Sequence, residues 1–323
     1  MRDTIRNALS LNKSRYEGQR PANKRVLVYV MSPSYSGSTL LTRIMAYQSK
    51  IATIGELKAT GINDINTYRC SCGALFLECE FWNELAEKLH ANDVPFNLHA
   101  LETRIRSESS LVNSFLTPTL HGPILERLRR FAFLLFPAAN TNLHSQLKRN
   151  AHIIEAICEL QKCDVFLDES KDPLRALYFA QSDLWDFRVL QLVRDGRGAV
   201  NSDMKHNQRS MTVACREWNL KIDEMARFLD MVQCPVMQLT YESLCTDASA
   251  IISQVLEFAG IPESRGDLDI SQDSQHIIGN DMRLKPMREV KLDEKWRTDL
   301  SRDELKTFYS LSGQRNKALG YDT

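Results

Sequence analysis

Val26-Leu27-Val28-Tyr29-Val30-Met31-Ser32-Pro33-Ser34-Tyr35-Ser36-Gly37-Ser38-Thr39-Leu40-Leu41 is the stretch that decides the fold. Its first six residues form a continuous apolar and β-branched run, the pattern of a strand buried on both faces and hence of a parallel sheet. Small residues follow from Ser32 to Thr39, and Leu40, Leu41, Ile44 and Met45 then recur at helical spacing. In such a strand, loop and helix unit, backbone N–H groups and the positive end of the helix dipole converge on one spot, ready to hold an anion. Ser36, Gly37, Ser38 and Thr39 are the candidate cradle: Gly37 permits close backbone approach, and the two hydroxyls after it add donors. An ordinary strand-to-helix turn with a serine cap would use the same residues. The Walker A pattern G-x-x-x-x-G-K-[ST] is not met, because Ser38 stands where the lysine belongs. Transfer of a γ-phosphate from ATP is thereby disfavoured.

Outward from this unit, residues 165–167, 188–193 and 235–241 have the same buried-strand character, and each run ends in a polar cluster. Strands alternating with helices imply crossovers and a parallel sheet that binds ligands beyond its carboxyl edge. The predicted fold class is therefore α/β, a P-loop-like three-layer fold with a central parallel sheet and a helical insertion. Residues 80–162 show no strand signal, and 123–136 and 143–160 read as helices. The predicted organisation is a flexible N-terminal arm over 1–22 and a single domain over 23–323. Within that domain, 64–162 is the helical insertion on the acceptor side.

Composition bounds the rest. With 323 residues of which 43% are hydrophobic, the chain can bury a large core, so global disorder is excluded. Forty-one Lys+Arg balance forty-one Asp+Glu, which leaves no general nucleic-acid-binding field; any anion site is local. The longest apolar run, 131–139, is far short of the about 20 residues that cross a bilayer, so no transmembrane segment is expected. The polar N-terminal residues lack a secretory pattern, and a cytoplasmic location is the expectation. Arg127, Arg129 and Arg130 precede that apolar run. They read either as a basic collar beside a lipid-facing patch or, preferably, as snorkelling arginines on a buried lid helix. Of eight cysteines only Cys70, Cys72 and Cys79 cluster. They offer three thiolates without an evident fourth ligand, so packed thiols are preferred to a zinc site and no metal ligands are assigned. A bridge from Cys70 or Cys72 to Cys79 would need an oxidising setting.

A second strand runs into a helix at Leu192-Val193-Arg194-Asp195-Gly196-Arg197-Gly198-Ala199-Val200-Asn201-Ser202. Asp195 is placed as the N-cap. Arg194 at the strand end can fork onto a phosphate, and Ser202 can add a hydroxyl to the same anion. A surface ion pair is the simpler role for such an arginine taken alone.

Together the two elements resemble the sulfotransferases that use 3′-phosphoadenosine-5′-phosphosulfate (PAPS), in which one loop holds the 5′-phosphosulfate and an Arg with a later Ser holds the 3′-phosphate. The resemblance extends to Thr240-Tyr241-Glu242-Ser243-Leu244 and to His276-Ile277-Ile278-Gly279-Asn280-Asp281-Met282-Arg283, and spans most of residues 25–321. Gly55-Glu56-Leu57, Cys70-Ser71-Cys72-Gly73 and Asp168-Glu169-Ser170-Lys171 resemble bacterial members of that family in their order. What the resemblance implies is a sheet of about five strands, PAPS as co-substrate, and metal-independent sulfonate transfer. The acceptor would be a hydroxyl or amine of a carbohydrate, lipid, peptide or small metabolite. Oligomeric state is left open, a homo-oligomer included. A kinase on the same frame and a nucleotide-binding module without turnover are the alternatives.

Many relatives carry Lys or Arg where this chain has Tyr35, so the cation for the transferring group is assigned to Lys171, oriented by Asp168 or Glu169. Glu56 is assigned as the general base, as in the similar Gly-Glu placement of tyrosylprotein sulfotransferases, with His206 and His276 next in line. A helix-cap or ion-pair carboxylate is the plainer reading of Glu56, and a solvated ion pair that of Lys171. Tyr241, Asn280 and Arg283 are expected on the nucleotide side, although a strand-end tyrosine also fits an edge of the core.

Overall fold

The computed structural model describes residues 24–322 apart from 49, 60, 61, 63, 118, 262–275 and 286–289; the predicted arm over 1–22 lies outside the described residues. Five parallel strands form one sheet: β1 (Val26–Met31), β2 (Ile51–Thr53), β3 (Val165–Asp168), β4 (Asp186–Val193) and β5 (Val236–Thr240), in the order β2-β3-β1-β4-β5. All six β1 residues are buried, as the unbroken apolar run requires of a central strand. Strand periodicity then sorts them onto two cores. Val26, Val28 and Val30 face a layer that includes α1 (Ser38–Ala46), α9 (Tyr241–Thr246) and α10 (Ala248–Phe258), whereas Leu27, Tyr29 and Met31 face the opposite layer. That second layer draws on α5 (Pro137–Leu160), α6 (Pro173–Gln181), α7 (Gly196–Asn207), α8 (Met211–Met231) and α12 (Arg302–Ala318). The three-layer α/β class read from the sequence is the observed one.

Strand order places the ligand crevice. From β1 the chain passes over β3 to reach β2, and from β3 it passes over β1 in the other direction to reach β4. Connections leaving two adjacent strands toward opposite sides open a crevice beyond their carboxyl ends. The loop after Met31 and the turn after Asp168 border that crevice. β2 went unrecognised in the sequence; it has three residues and pairs with β3 alone, Ile51 with Val165 through Thr53 with Leu167.

Between β2 and β3 lie α2 (Glu80–Ala91), α3 (Ser110–Leu116), α4 (Pro123–Leu135) and α5. The preferred reading of 131–139 as part of a buried lid helix is corrected here. On α4, Ile124 is 75% exposed, Phe131 58% and Leu134 73%, while Phe133 turns inward. One face of α4 thus packs inward and the other is apolar and solvent-facing, with no protein layer over it among the described residues. Short α11 (Trp296–Asp299) precedes α12. Among the described residues no helix is long and apolar enough to cross a membrane.

Candidate active site

The loop after β1 turns on two left-handed residues, Tyr35 at φ 63° and Gly37 at φ 88°, and Gly37 is the N-cap of α1. A side chain at Gly37 would place its Cβ 2.5 Å from Cδ2 of Tyr241, so the loop backbone lies directly on that ring. Ser38 and Thr39 open α1. Thr39 donates its hydroxyl to Glu169 Oε1 at 2.9 Å, and Ser38 Oγ lies 3.4 Å from Lys171 Nζ. Ser36 is buried, and its hydroxyl has no hydrogen-bond partner among the described residues.

Lys171 is held by a turn with little freedom. Asp168 closes it by accepting from Leu57 N at 3.2 Å, Ser170 N at 2.9 Å and Ser170 Oγ at 2.5 Å. Tyr29 Oη accepts from Asp172 N and donates to Asp172 O, each at 3.1 Å, and Asp172 caps α6. These bonds keep Lys171 at φ 55°, a conformation costly for a non-glycine residue unless its surroundings impose it. Its ammonium donates to Glu56 Oε1 at 2.9 Å and Glu169 Oε1 at 3.1 Å. Burial opposes the charge, but Glu169 and Glu56 outweigh it and hold the Lys171 pKa above the ordinary lysine range. A raised folded value means that the stabilising charge is kept below the unfolded pKa of about 10.4 and lost only as pH rises beyond it. Lys171 is therefore cationic throughout the neutral range. Of the two carboxylates suggested to orient it, Glu169 does so, while Asp168 lies 3.8 Å from Arg175.

Glu56 reaches this point because the chain after β2 is bridged to a distant segment. Glu56 N donates to Ile278 O at 3.3 Å, Ile278 N to Ile54 O at 2.8 Å, and Glu169 N to Gly55 O at 2.9 Å. Gly55 has φ 80°, and a Cβ there would come 2.4 Å from Ile278 O. Gly55→Ala is thus expected to cost at least about 1 to 2 kcal/mol in backbone strain alone and to break the bridge that aims Glu56. Denaturant melts of Gly55→Ala against the unaltered chain should show this loss of stability.

Arg194 stands at the other end of the loop. Its guanidinium donates to Tyr35 O at 3.1 Å, to Ser202 Oγ at 3.4 Å and to Asp293 O at 2.7 Å, with the Asp293 carboxylate at 3.4 Å. It also lies 4.3 Å from the Tyr241 ring centroid, a cation–π contact that fixes its plane. Asp195 is the N-cap of α7 as read, accepting from Arg197 N. The turn is tied further by Asp195 N to Glu242 Oε1 at 3.1 Å and Gly196 N to Asn316 Oδ1 at 2.7 Å. Tyr241 is wedged between the loop and Arg194, its hydroxyl accepting from Asp293 N at 3.1 Å. Tyr35 points its hydroxyl at Asn207, 2.8 Å away, and its ring packs on His206.

Asn280 and Arg283 belong to the segment that follows Ile278. Asn280 caps the short turn Asp281–Leu284 by accepting from Met282 N. The buried Arg283 donates to Gly279 O at 2.7 Å and Arg69 O at 2.8 Å and stacks on Tyr68. The structure thus brings Ser38, Thr39, Glu56 and Lys171 together, and separately Tyr35, Arg194, Ser202 and Tyr241, while Asn280 caps its own turn and Arg283 ties that turn to Tyr68 and Arg69. Sequence reasoning missed Asp293 as the partner of Arg194; an acidic residue in an irregular segment carries no local signal for such a contact. It also missed the placement of His276, which stacks on Phe81 beside the three clustered cysteines.

No family model and no curated protein matches the sequence. Among solved structures the chain is similar to the sulfotransferase domain of the Synechococcus PCC 7002 olefin synthase. That likeness has 14% identity over 95% of this chain and 100% of that one, at a TM-score of 0.49. It is similar to the sulfotransferase domain from the curacin biosynthetic pathway, with 15% identity over 89% of this chain and 98% of that one, at a TM-score of 0.46. It is also similar to retinol dehydratase in complex with retinol and PAP, with 13% identity over 94% and 83% of the two chains, at a TM-score of 0.35.

Proposed function

We propose that the chain is a PAPS-dependent sulfotransferase, moving a sulfonate group to a hydroxyl or amine of its acceptor. One observation carries this reading: the stretch from Tyr35 to Ser38 has a cation tied to each end, Arg194 at Tyr35 O and Lys171 at Ser38 Oγ. One loop between two fixed cations suits a ligand with two anionic groups, and a nucleotide bearing a 3′-phosphate and a 5′-phosphosulfate is such a ligand. In this reading the start of α1, with Ser38 and Thr39, takes the 5′-phosphosulfate, and Arg194 with Ser202 takes the 3′-phosphate in place of the Asp293 contacts. Helices α2 to α5, within 64–162, form the acceptor side of one catalytic unit over 23–323.

The chemistry is an in-line displacement at sulfur. The acceptor oxygen or nitrogen forms its bond to sulfur while the bond from sulfur to the 5′-phosphate oxygen breaks, and adenosine 3′,5′-bisphosphate (PAP) leaves. The acceptor's proton passes to Glu56, and the charge growing on the departing oxygen is met by Lys171. The ion pair between these two side chains, 2.9 Å long, holds base and cation within reach of one reacting centre. No metal ion is assigned a part in these steps.

Thermal unfolding tests the reading against a kinase on the same frame. A ligand that binds only the folded state raises its apparent stability by an amount set by its concentration over Kd. PAP at about 100 times its Kd is expected to stabilise by about 2.7 kcal/mol, and Mg·ATP at equal concentration by much less. Equal shifts, or a shift with Mg·ATP alone, would count against the sulfotransferase.

A further inference from the structure

The strongest feature outside the candidate active site is the group formed by Cys70, Cys72, Cys79 and His276. One potential ligand atom from each lies within 4.8 Å of the other three. His276 is 206 residues from Cys70, and its Nδ1 lies 3.6 Å from Cys70 Sγ and 3.3 Å from Cys79 Sγ; Cys72 Sγ lies 3.7 Å from Cys79 Sγ. A tetrahedral zinc ion with Zn–S of about 2.3 Å and Zn–N of about 2.0 Å separates its ligands by about 3.8 Å (S to S) and about 3.5 Å (S to N). The observed spacings are those of a zinc shell and are far longer than the about 2.05 Å of a disulfide. From this geometry we infer that the chain binds one structural Zn²⁺ through Cys70, Cys72, Cys79 and His276.

The surrounding chain is shaped for this. Cys70 opens and Cys72 lies within a tight turn in which Gly73 N donates to Cys70 O at 2.9 Å and Cys70 N to Ala74 O at 3.0 Å, so both thiols belong to one knuckle. Cys79 is the N-cap of α2, so the rigid start of that helix fixes where its thiol stands. Ser71 Oγ accepts from Ile277 N at 2.8 Å, and the Phe81 ring stacks on His276 at 4.6 Å and 7°, which together fix the imidazole. Three thiolates and an imidazole favour zinc over the hard cations, and four protein ligands leave no open position for catalysis.

The site also explains how a segment so far along the chain is kept beside Glu56. Ile278, two residues from His276, makes the bridge to Ile54 and Glu56. Tyr68, two residues before Cys70, accepts from Gly279 N at 2.8 Å and donates to Gly279 O at 3.1 Å. Gly279 in turn lies against the Glu56 side chain. The zinc ion would clamp the knuckle to this segment and so steady Glu56 without touching the reacting groups.

The test is elemental analysis of the full chain, purified under reducing conditions and dialysed against a weak chelator. About one zinc per chain is expected, dropping at least about tenfold in Cys72→Ser and retained in His276→Cys. Because a serine variant can misfold, two measurements use the unaltered chain. Replacement of the metal by Co²⁺ should give an intense near-ultraviolet sulfur-to-cobalt charge-transfer band. Zinc should also protect Cys70, Cys72 and Cys79, but not Cys234 or Cys245, from alkylation mapped by peptide mass. Absence of metal after zinc addition, zinc content unchanged in Cys72→Ser, no thiolate band, or a Cys72–Cys79 disulfide in protein kept reduced would each overturn the inference.

Discussion

Arg194→Ala is expected to weaken PAP binding by about 10- to 100-fold while leaving adenosine 5′-monophosphate within about twofold. A hydrogen bond to a charged group contributes about 1.5 to 3 kcal/mol, and 1.4 kcal/mol is a factor of ten. The wild-type protein should accordingly prefer PAP to the monophosphate by at least about tenfold. Ser202→Ala, which removes one neutral donor, should lose only about fivefold. Isothermal titration with both nucleotides separates two roles of Arg194, because its guanidinium also holds Tyr35 O and lies on the Tyr241 ring. A contact to the 3′-phosphate lowers PAP affinity alone. Parallel loss of both nucleotides would mean that Arg194 merely supports the loop, and the proposed donor site would fall.

The parts of this site that were legible in the sequence are those whose signal is contiguous. β1, its loop and α1 stand in one unbroken stretch, so the pattern gave both a buried strand and a helix start. Other features depend on neighbours. β2 is three residues long and acquires its identity only by pairing with β3. The apolar face of α4 has the same sequence pattern as a buried helix, and only the absence of an opposing layer among the described residues separates the two. Glu169 rather than Asp168 meets Lys171 because strand alternation sends successive side chains to opposite faces. Asp168, paired in register with Tyr29, turns toward Leu57 N and Arg175, which leaves Glu169 facing α1. His276 is the extreme case: nothing near it in sequence marks a ligand, and its partners lie about 200 residues away.

Glu56→Gln is expected to reduce sulfonate transfer by about 10²- to 10⁴-fold, the usual contribution of a positioned general base, with PAP affinity nearly unchanged. Glutamine preserves the shape and can still accept from Lys171 through its amide oxygen, so only the proton acceptor is lost. Lys171→Ala should lower turnover by about 10²- to 10³-fold, the range seen when one donor to a developing charge is removed. It carries a second cost, since Glu56 and the buried Glu169 would then face each other without their shared cation. Lys171→Met is the better companion, because it keeps the stem and removes the charge, and unfolding melts will report the loss of stability separately from turnover. The decisive comparison is single-turnover transfer from bound PAPS, in which binding is complete and only the chemical step is timed. If Glu56→Gln transfers at the wild-type rate there, the base is another group, and the ion pair between Glu56 and Lys171 serves only to position the cation. If Lys171→Met alone is slow, charge on the leaving oxygen limits the reaction. Comparable losses in both would fit an ion pair whose two members act on opposite ends of the same displacement.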